Sequence, residues 1–298
     1  MEMKIILLTG GTGYLGSKIL KKLVDNGYTI ILLKRSFSNP VRIKEYINKI
    51  ISYDIDVVPL ERIFSENSID TIIHCATNYG RGENDPLHVI EANLVLPLKL
   101  LELGKKYHIQ SFINTDTILD KRINYYSLSK KQFKDWLFVY KQDYTCINIA
   151  LEHFYGSGDD ETKFVTYIVH NLLKNVDKID LTKGEQKRDF IFIDDVVDAF
   201  IKIINSLDNF SQDFYEFEVG TTDPVSIKEF VELAKSVSGN KSTLLNFGAL
   251  PYRENEVMNY TVDISEISKI GWKCRFDVET GLKKMIDLER QLTNQELS

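Results

Sequence analysis

Thr9-Gly10-Gly11-Thr12-Gly13-Tyr14-Leu15-Gly16 is the stretch that decides the fold. The β-branched run Lys4–Thr9 leads into it, and Gly16–Asn26, with apolar residues at helical spacing, leads out. Gly10, Gly13 and Gly16 stand three apart, a GxxGxxG spacing rather than GxGxxG. Glycine lets the chain turn tightly and lets backbone N–H groups approach a pyrophosphate at the positive end of a helix. A lone glycine trio is weak evidence, but placed between a strand and an amphipathic helix it is strong. Gly10, Thr12, Gly13, Tyr14, Leu15 and Gly16 are therefore the expected dinucleotide contacts.

Outward from this loop the first half of the chain alternates. Thr29–Leu33, Thr71–Ala76, Ser111–Asn114 and Thr145–Leu151 read as strands, and Pro86–Tyr107 and Tyr125–Tyr140 as helices, with Pro97 a candidate kink. Such alternation predicts a doubly wound α/β Rossmann fold with a parallel sheet. Beyond Tyr155 the pattern loosens. Lys163–Lys174, Val196–Asn205, Ser226–Ser238 and Val278–Thr293 read as helices, and Arg188–Ile193 and Glu256–Asp263 as strands, with Asp194-Asp195 as an N-cap. The expected division is a dinucleotide-binding domain over 1–155, to which 188–212 returns, and a smaller C-terminal substrate-binding lobe from 156–187 and 213–298.

Bulk properties narrow the function. The 298 residues are 43% hydrophobic, enough for a sizeable core, and a net charge of −6 builds no field to hold nucleic acid. Cys75, Cys146 and Cys274 are odd in number and form no CxxC pair, which suits core positions in a reducing cytosol. The first apolar run meets Gly10 too early for a signal peptide, and no run is of membrane-spanning length. The five His show no metal-ligand spacing. A cytoplasmic protein without metal, membrane or nucleic-acid partners is expected.

The end of the second strand ordinarily reads the cofactor ribose, a carboxylate accepting from the 2′-OH and a basic residue receiving a 2′-phosphate. Here it is Leu33-Lys34-Arg35-Ser36, which predicts NADP(H) held by Lys34, Arg35 and Ser36, with a solvated basic turn as the alternative. Tyr126 and Lys130 are four apart on one helix face. An ammonium beside a phenol stabilises the phenolate, so the pair can pass a proton to or from an alcohol oxygen while hydride moves. YxxxK alone is weak, since Tyr14 and Lys18 also fit it among 15 Tyr. Its position after the strand-like run Ser111–Asn114 lifts Tyr126/Lys130.

The glycine loop, His74-Cys75-Ala76-Thr77 at a strand end, Asn93 in a helix and this YxxxK together resemble the extended short-chain dehydrogenase/reductase family. The resemblance implies that Asp54, Ile55, Cys75, Ala76, Thr77, Asn93 and Lys130 also hold the cofactor. It implies that a hydroxyl after the strand binds the substrate carbonyl beside Tyr126, with Thr115 the first choice and Thr117 the fallback. The stretch Gly184-Glu185-Gln186-Lys187-Arg188-Asp189-Phe190-Ile191-Phe192-Ile193-Asp194-Asp195-Val196-Val197 resembles the sugar-nucleotide members of the family. That implies a diphosphate clamp of Arg188 and Arg253, a packing role for Gly271-Trp272, and a substrate site of Tyr79, Asp116, Thr117, His153, Lys163, Phe164, Arg188 and Arg253. Ala150 and Ser157 depart from the Arg and Pro common in those members, and Glu152-His153 from their Phe-Asn.

Dehydratases of the family resemble Thr115-Asp116 but continue with Glu as the base, where this chain has Thr117. Together with the basic ribose turn this predicts an NADPH-dependent reductase of a nucleotide-linked 4-keto-6-deoxyhexose, in deoxysugar synthesis for surface polysaccharide. CDP is favoured, with dTDP and GDP open. The alternatives are a 4-epimerase or 4,6-dehydratase that recycles NAD, and a non-catalytic NADP sensor. A homodimer through Pro86–Tyr107 and Tyr125–Tyr140 is implied by the resemblance alone.

Overall fold

The computed structural model describes residues 4–80, 85–253, 256–259 and 261–296. In chain order the first part comprises β1 (Ile5–Thr9), α1 (Tyr14–Asp25), β2 (Thr29–Lys34), β3 (Ile51–Asp54), α2 (Leu60–Glu66), β4 (Thr71–His74), α3 (Pro86–Ile90), α4 (Leu96–Lys106), β5 (Ser111–Thr117), α5 (Tyr125–Val139) and β6 (Thr145–Leu151). The second comprises β7 (His153–Tyr155), α6 (Phe164–Leu173), β8 (Lys178–Leu181), β9 (Lys187–Arg188), β10 (Phe190–Phe192), α7 (Ile193–Asn205), β11 (Phe214–Val219), β12 (Val225–Ser226), α8 (Ile227–Ser238), β13 (Leu244–Phe247), α9 (Ser265–Lys269) and α10 (Val278–Glu296). No helix among the described residues is long and apolar enough to cross a membrane.

The chain divides into two compact units, one of residues 1–151, 197–218 and 269–271, the other of 152–196, 219–268 and 272–298. The first holds a seven-stranded sheet of order β11-β6-β5-β4-β1-β2-β3. Its β6-to-β3 neighbours all pair in parallel, with registers such as Leu7↔Ile31 and Leu7↔Ile72. This is the Rossmann order, with the winding reversing between β1 and β4. Strand interiors bury Leu7, Ile31, Ile72, Phe112 and Cys146 against Leu100, Leu101, Phe133 and Leu137 of the helices. The second unit contains short strand pairs, β7 with β10, β9 with β12 and β8 with β13, packed with α6, α8 and α10. Phe190 stacks on Phe230 at 3.9 Å between centroids, and Trp272, which is buried, donates to Asp195 O at 3.2 Å.

Four sequence expectations change. β3 was not among the predicted strands, because as a sheet edge it is short and half-exposed and lacks the apolar run of its neighbours. The predicted single helix over 86–107 is broken by a π turn at Glu91–Val95, and Pro97 lies in the first turn of α4 instead of kinking a helix interior. α7 starts at Ile193, so Asp195 is inside the helix, where it accepts from Arg275 N at 3.0 Å and Phe276 N at 2.9 Å. Glu256–Asp263 forms no strand among its described residues; Tyr260 lies outside them.

Candidate active site

At the point where the winding reverses, the carboxyl ends of β1 and β4 leave a crevice into which both following loops turn. Gly10 adopts φ +71°, and a Cβ there would stand 2.5 Å from Ala76 N; one on Gly16 would stand 2.2 Å from Gly10 O. Only glycine closes this turn. Thr9 Oγ1 pairs with His74 Nδ1 at 2.8 Å and accepts from Ala76 N at 3.1 Å, locking the two strand ends together. Gly13 caps α1 without a side-chain hydrogen bond, and the first turn carries no acidic residue. No side-chain cap and no acidic residue competes for the positive end of α1, and the cradle fits a dinucleotide pyrophosphate.

The ribose turn looks different once folded. The sequence shows only its basic side, but the end of β3 and the turn after it deliver two carboxylates, Asp54 and Asp56. Ser36 Oγ donates to Asp54 at 2.7 Å, Lys34 Nζ lies 3.9 Å from Asp54, and Arg35 Nε donates to Asp56 at 3.1 Å. The Ser36 hydroxyl, aided by the Asp56 N–H and by Lys34 and Arg35, holds the Asp54 carboxyl below its ordinary range. Ile55 N donates to Lys34 O at 2.9 Å, which keeps this corner of β3 beside β2.

Tyr126 and Lys130 rise from the first turns of α5, which begins in a capping box of Asn124 and Ser127. Lys130 is 1% exposed, and its Nζ has no hydrogen-bond partner among the described residues. Burial lowers its ammonium to about 8, opposed by Asp116 and Cys75 and reinforced by Lys131. Its charge in turn adds to the burial that keeps His74 well below the usual imidazole range, while burial pushes the Cys75 thiol up to about 12. Tyr126 lies beside Tyr79, ring centroids 5.0 Å apart. Burial chiefly, with Tyr79 and Asp116, pushes the phenol well above its ordinary value, and a hydrogen bond with Thr117 pulls the other way.

Three expected site residues turn inward. Thr115 Oγ1 donates to His74 O at 2.9 Å, tying β5 to β4, so Thr117 and not Thr115 presents its hydroxyl to Tyr126. Asp116, expected at the substrate, has a fully buried carboxylate that accepts from Asn148 Nδ2 at 3.0 Å, Lys131 Nζ at 3.0 Å and Thr117 N at 2.7 Å. Lys131 also donates to Thr117 O. Thr117 is thus gripped at both of its backbone polar groups. Asn93, expected at the cofactor, sits on the π turn with its amide saturated: Oδ1 accepts from Asn78 N and Thr77 Oγ1, and Nδ2 donates to Asn78 O and Ser129 Oγ. It shapes the Thr77–Asn78 loop. Lys131 and Asn148 escaped the sequence reading, although an Asn inside the apolar run Ile147-Asn148-Ile149 implied a buried polar partner.

In the second unit, Arg188 is engaged internally. Its guanidinium donates to Glu256, to Lys187 O at 2.7 Å and to Val257 O at 2.7 Å, so a diphosphate would have to displace a carboxylate from it. Arg253 is exposed, and its neighbours Glu254 and Asn255 lie outside the described residues. Lys163 pairs with Asp159 at 3.1 Å and lies over the Phe154 ring, and Phe164 packs near Phe230. His153 is exposed, its Nδ1 2.5 Å from Glu152 Oε2, while Glu152 Oε1 is buried without a hydrogen-bond partner among the described residues. Glu152 was not anticipated as a site residue.

Residues 6–220 match the NAD dependent epimerase/dehydratase family. The chain is 35% identical over 296 residues to a CDP-abequose synthase of Salmonella muenchen, covering 96% of this chain and 98% of that one. Among solved structures it is similar to UDP-glucose 4-epimerase of Thermotoga maritima with UDP-glucose, at TM-score 0.83 and 23% identity over 97% of this chain and 99% of that one. It is also similar to UDP-glucuronic acid 4-epimerase of Bacillus cereus in complex with UDP-glucuronic acid and NAD, at TM-score 0.84 and 21% identity over 97% and 99%.

Proposed function

The chain belongs to the NAD dependent epimerase/dehydratase family, and from that premise we propose that it is a nucleotide-sugar reductase that takes hydride from NADPH to the C4 carbonyl of a nucleotide-linked 4-keto-6-deoxyhexose. The observation that carries this reading is the condition of Tyr126. Burial makes its phenol a weaker acid that keeps its proton at neutral pH, and the buried Lys130 ammonium on the same helix face would stabilise the phenolate left when that proton passes to a carbonyl oxygen. The position of a dehydratase base is Thr117, and the adjoining Asp116 carboxylate is enclosed by Lys131 and Asn148. Likeness to a relative named for a CDP-linked sugar supports the substrate class and favours CDP.

The bound nicotinamide would supply hydride to the carbonyl carbon. Tyr126 gives its proton to the carbonyl oxygen as charge develops there, with the Thr117 hydroxyl as the second hydrogen-bonding group. The buried Lys130 ammonium, unpartnered among the described residues, would hold ribose hydroxyls of the cofactor and stabilise the phenolate left on Tyr126. The glycine loop and α1 would hold the pyrophosphate, and Arg253 the sugar diphosphate. A homodimer over the α4–α5 face completes the proposal.

A second reading has its own support. Asp54 and Asp56 beside the ribose turn would suit the 2′-OH of a recycled NAD, as a 4-epimerase needs. One experiment separates the two: NADPH absorbance followed against CDP-, dTDP- and GDP-linked 4-keto-6-deoxyhexoses. The expected result is one NADPH consumed per sugar, with Tyr126→Phe slower by about 10²–10⁴. If no sugar oxidises NADPH while a nucleotide hexose inverts at C4 without net cofactor change, the reductase reading falls.

A further inference from the structure

The corner between β2 and β3 already contains an anion. Asp56, on the turn after β3, places Oδ1 3.1 Å from Arg35 Nε and accepts from Ser36 N at 2.9 Å through Oδ2. Its own N–H donates to Asp54 Oδ1 at 3.0 Å, and Asp54 accepts the Ser36 hydroxyl at 2.7 Å, so the carboxylate is held on a fixed turn. A guanidinium N–H and a backbone N–H converging on one oxyanion are the donor set that a phosphate ester takes. Here an internal carboxylate fills it.

We propose that Asp56 is the specificity-determining residue of this corner: its carboxylate competes with a 2′-phosphate for Arg35 and the Ser36 N–H, and accepts the 2′-hydroxyl of the unphosphorylated nucleotide instead. The inference rests on the proposal that a nicotinamide dinucleotide occupies the first unit, and deepens it. Phosphate entry requires the Arg35–Asp56 contact to open and brings a dianion close to a carboxylate. A hydroxyl requires neither, and Asp56 offers it an acceptor. Arg35 and Asp56 are half- and one-third exposed at their side chains, so the contact is weak and either ligand can open it. The chain therefore carries opposed determinants, Arg35 for the phosphate and Asp56 against it, and its preference is the difference between them.

The test is calorimetric titration of the whole protein with 2′,5′-ADP and with ADP, which reports binding without turnover. Asp56→Asn keeps an oxygen to accept from Ser36 N and removes the charge. The expected result is a rise of about two- to fivefold in the 2′,5′-ADP to ADP affinity ratio, larger at low salt because the effect is one of charge. Arg35→Ala should lower that ratio. Should Asp56→Asn fold poorly by far-UV circular dichroism, Asp56→Ser carries the same expectation. An unchanged or reduced ratio in the folded Asp56 variant overturns the proposal. The NADPH reading fails separately: if the unaltered protein binds NADH more tightly than NADPH, that reading is lost, while a ratio that still rises on removing Asp56 sustains the competitor role.

Discussion

Lys130 and Lys131 are neighbours in sequence with opposite environments, and the contrast gives two expectations. Burial lowers the Lys130 ammonium to about 8, and an amine so depressed keeps its charge below that pH and loses it as pH rises. If the ammonium stabilises the Tyr126 phenolate, kcat/KM should be level below about pH 8 and fall above it. Lys130→Arg, whose guanidinium does not deprotonate in range, should carry activity without that limb, however slowly. A wild-type profile level to pH 10 would remove Lys130 from proton transfer. Lys131 instead neutralises the buried Asp116 carboxylate. Lys131→Met leaves that carboxylate hydrogen-bonded only to the neutral Asn148 Nδ2 and Thr117 N and should cost about 3 kcal/mol of stability, read as a lower urea midpoint at unchanged slope. Unaltered stability would mean that Asn148 and the Thr117 N–H suffice for Asp116.

Among the elements, the α3–α4 region shows how local preference yields to packing. Its apolar spacing reads as one helix, yet the π turn adds a residue and swings Asn93 under the Thr77–Asn78 loop. Six apolar or aromatic residues, Leu60, Val95, Leu98, Leu103, Trp136 and Tyr140, line an open hollow together with three charged side chains, and Trp136 is 48% exposed. Val139, three residues on from Trp136, is also exposed on α5. Large apolar side chains gathered on one helix pair mark an association surface, which is the physical support for the proposed homodimer. Trp136→Glu should place a charge in that interface and convert a dimer to a monomer by light scattering. A monomeric wild type would dispose of the dimer itself.

At the scale of the whole molecule, the chain leaves the first unit at Leu151 and returns over 197–218 and 269–271. The return supplies the buried Phe200, Ile203 and Ile204 of α7 and the edge strand β11, whose approach is anchored where Cys146 N donates to Asp213 O at 2.9 Å. A fragment ending at Leu151 would expose the β6 edge and the apolar face that α7 covers. It should aggregate or elute as a loosely folded species on gel filtration, although it contains the glycine loop, Tyr126 and Lys130. A compact, cooperatively melting fragment would show that the returning segments are dispensable.

The sequence alone was enough for everything that depends on local pattern. A β-branched strand, three spaced glycines and an amphipathic helix state the Rossmann beginning, because glycine conformations and hydrophobic periodicity act over a few residues. Tyr126 and Lys130 were legible for the same reason, since four residues of helix set them on one face. What the sequence could not show is which polar groups meet across strands far apart in the chain. Thr115 and Thr117 are equivalent by spacing, and only the parallel register beside His74 turns the first to a backbone carbonyl. Arg35 reads as a free cation until the turn after β3 brings Asp56 to it, as Arg188 does until Glu256 arrives from 68 residues away. Hydrogen bonds and charge pairs are short-ranged, so their partners are chosen by the folded backbone, and tertiary structure alone decided which site residues face outward to a ligand and which hold the site in place.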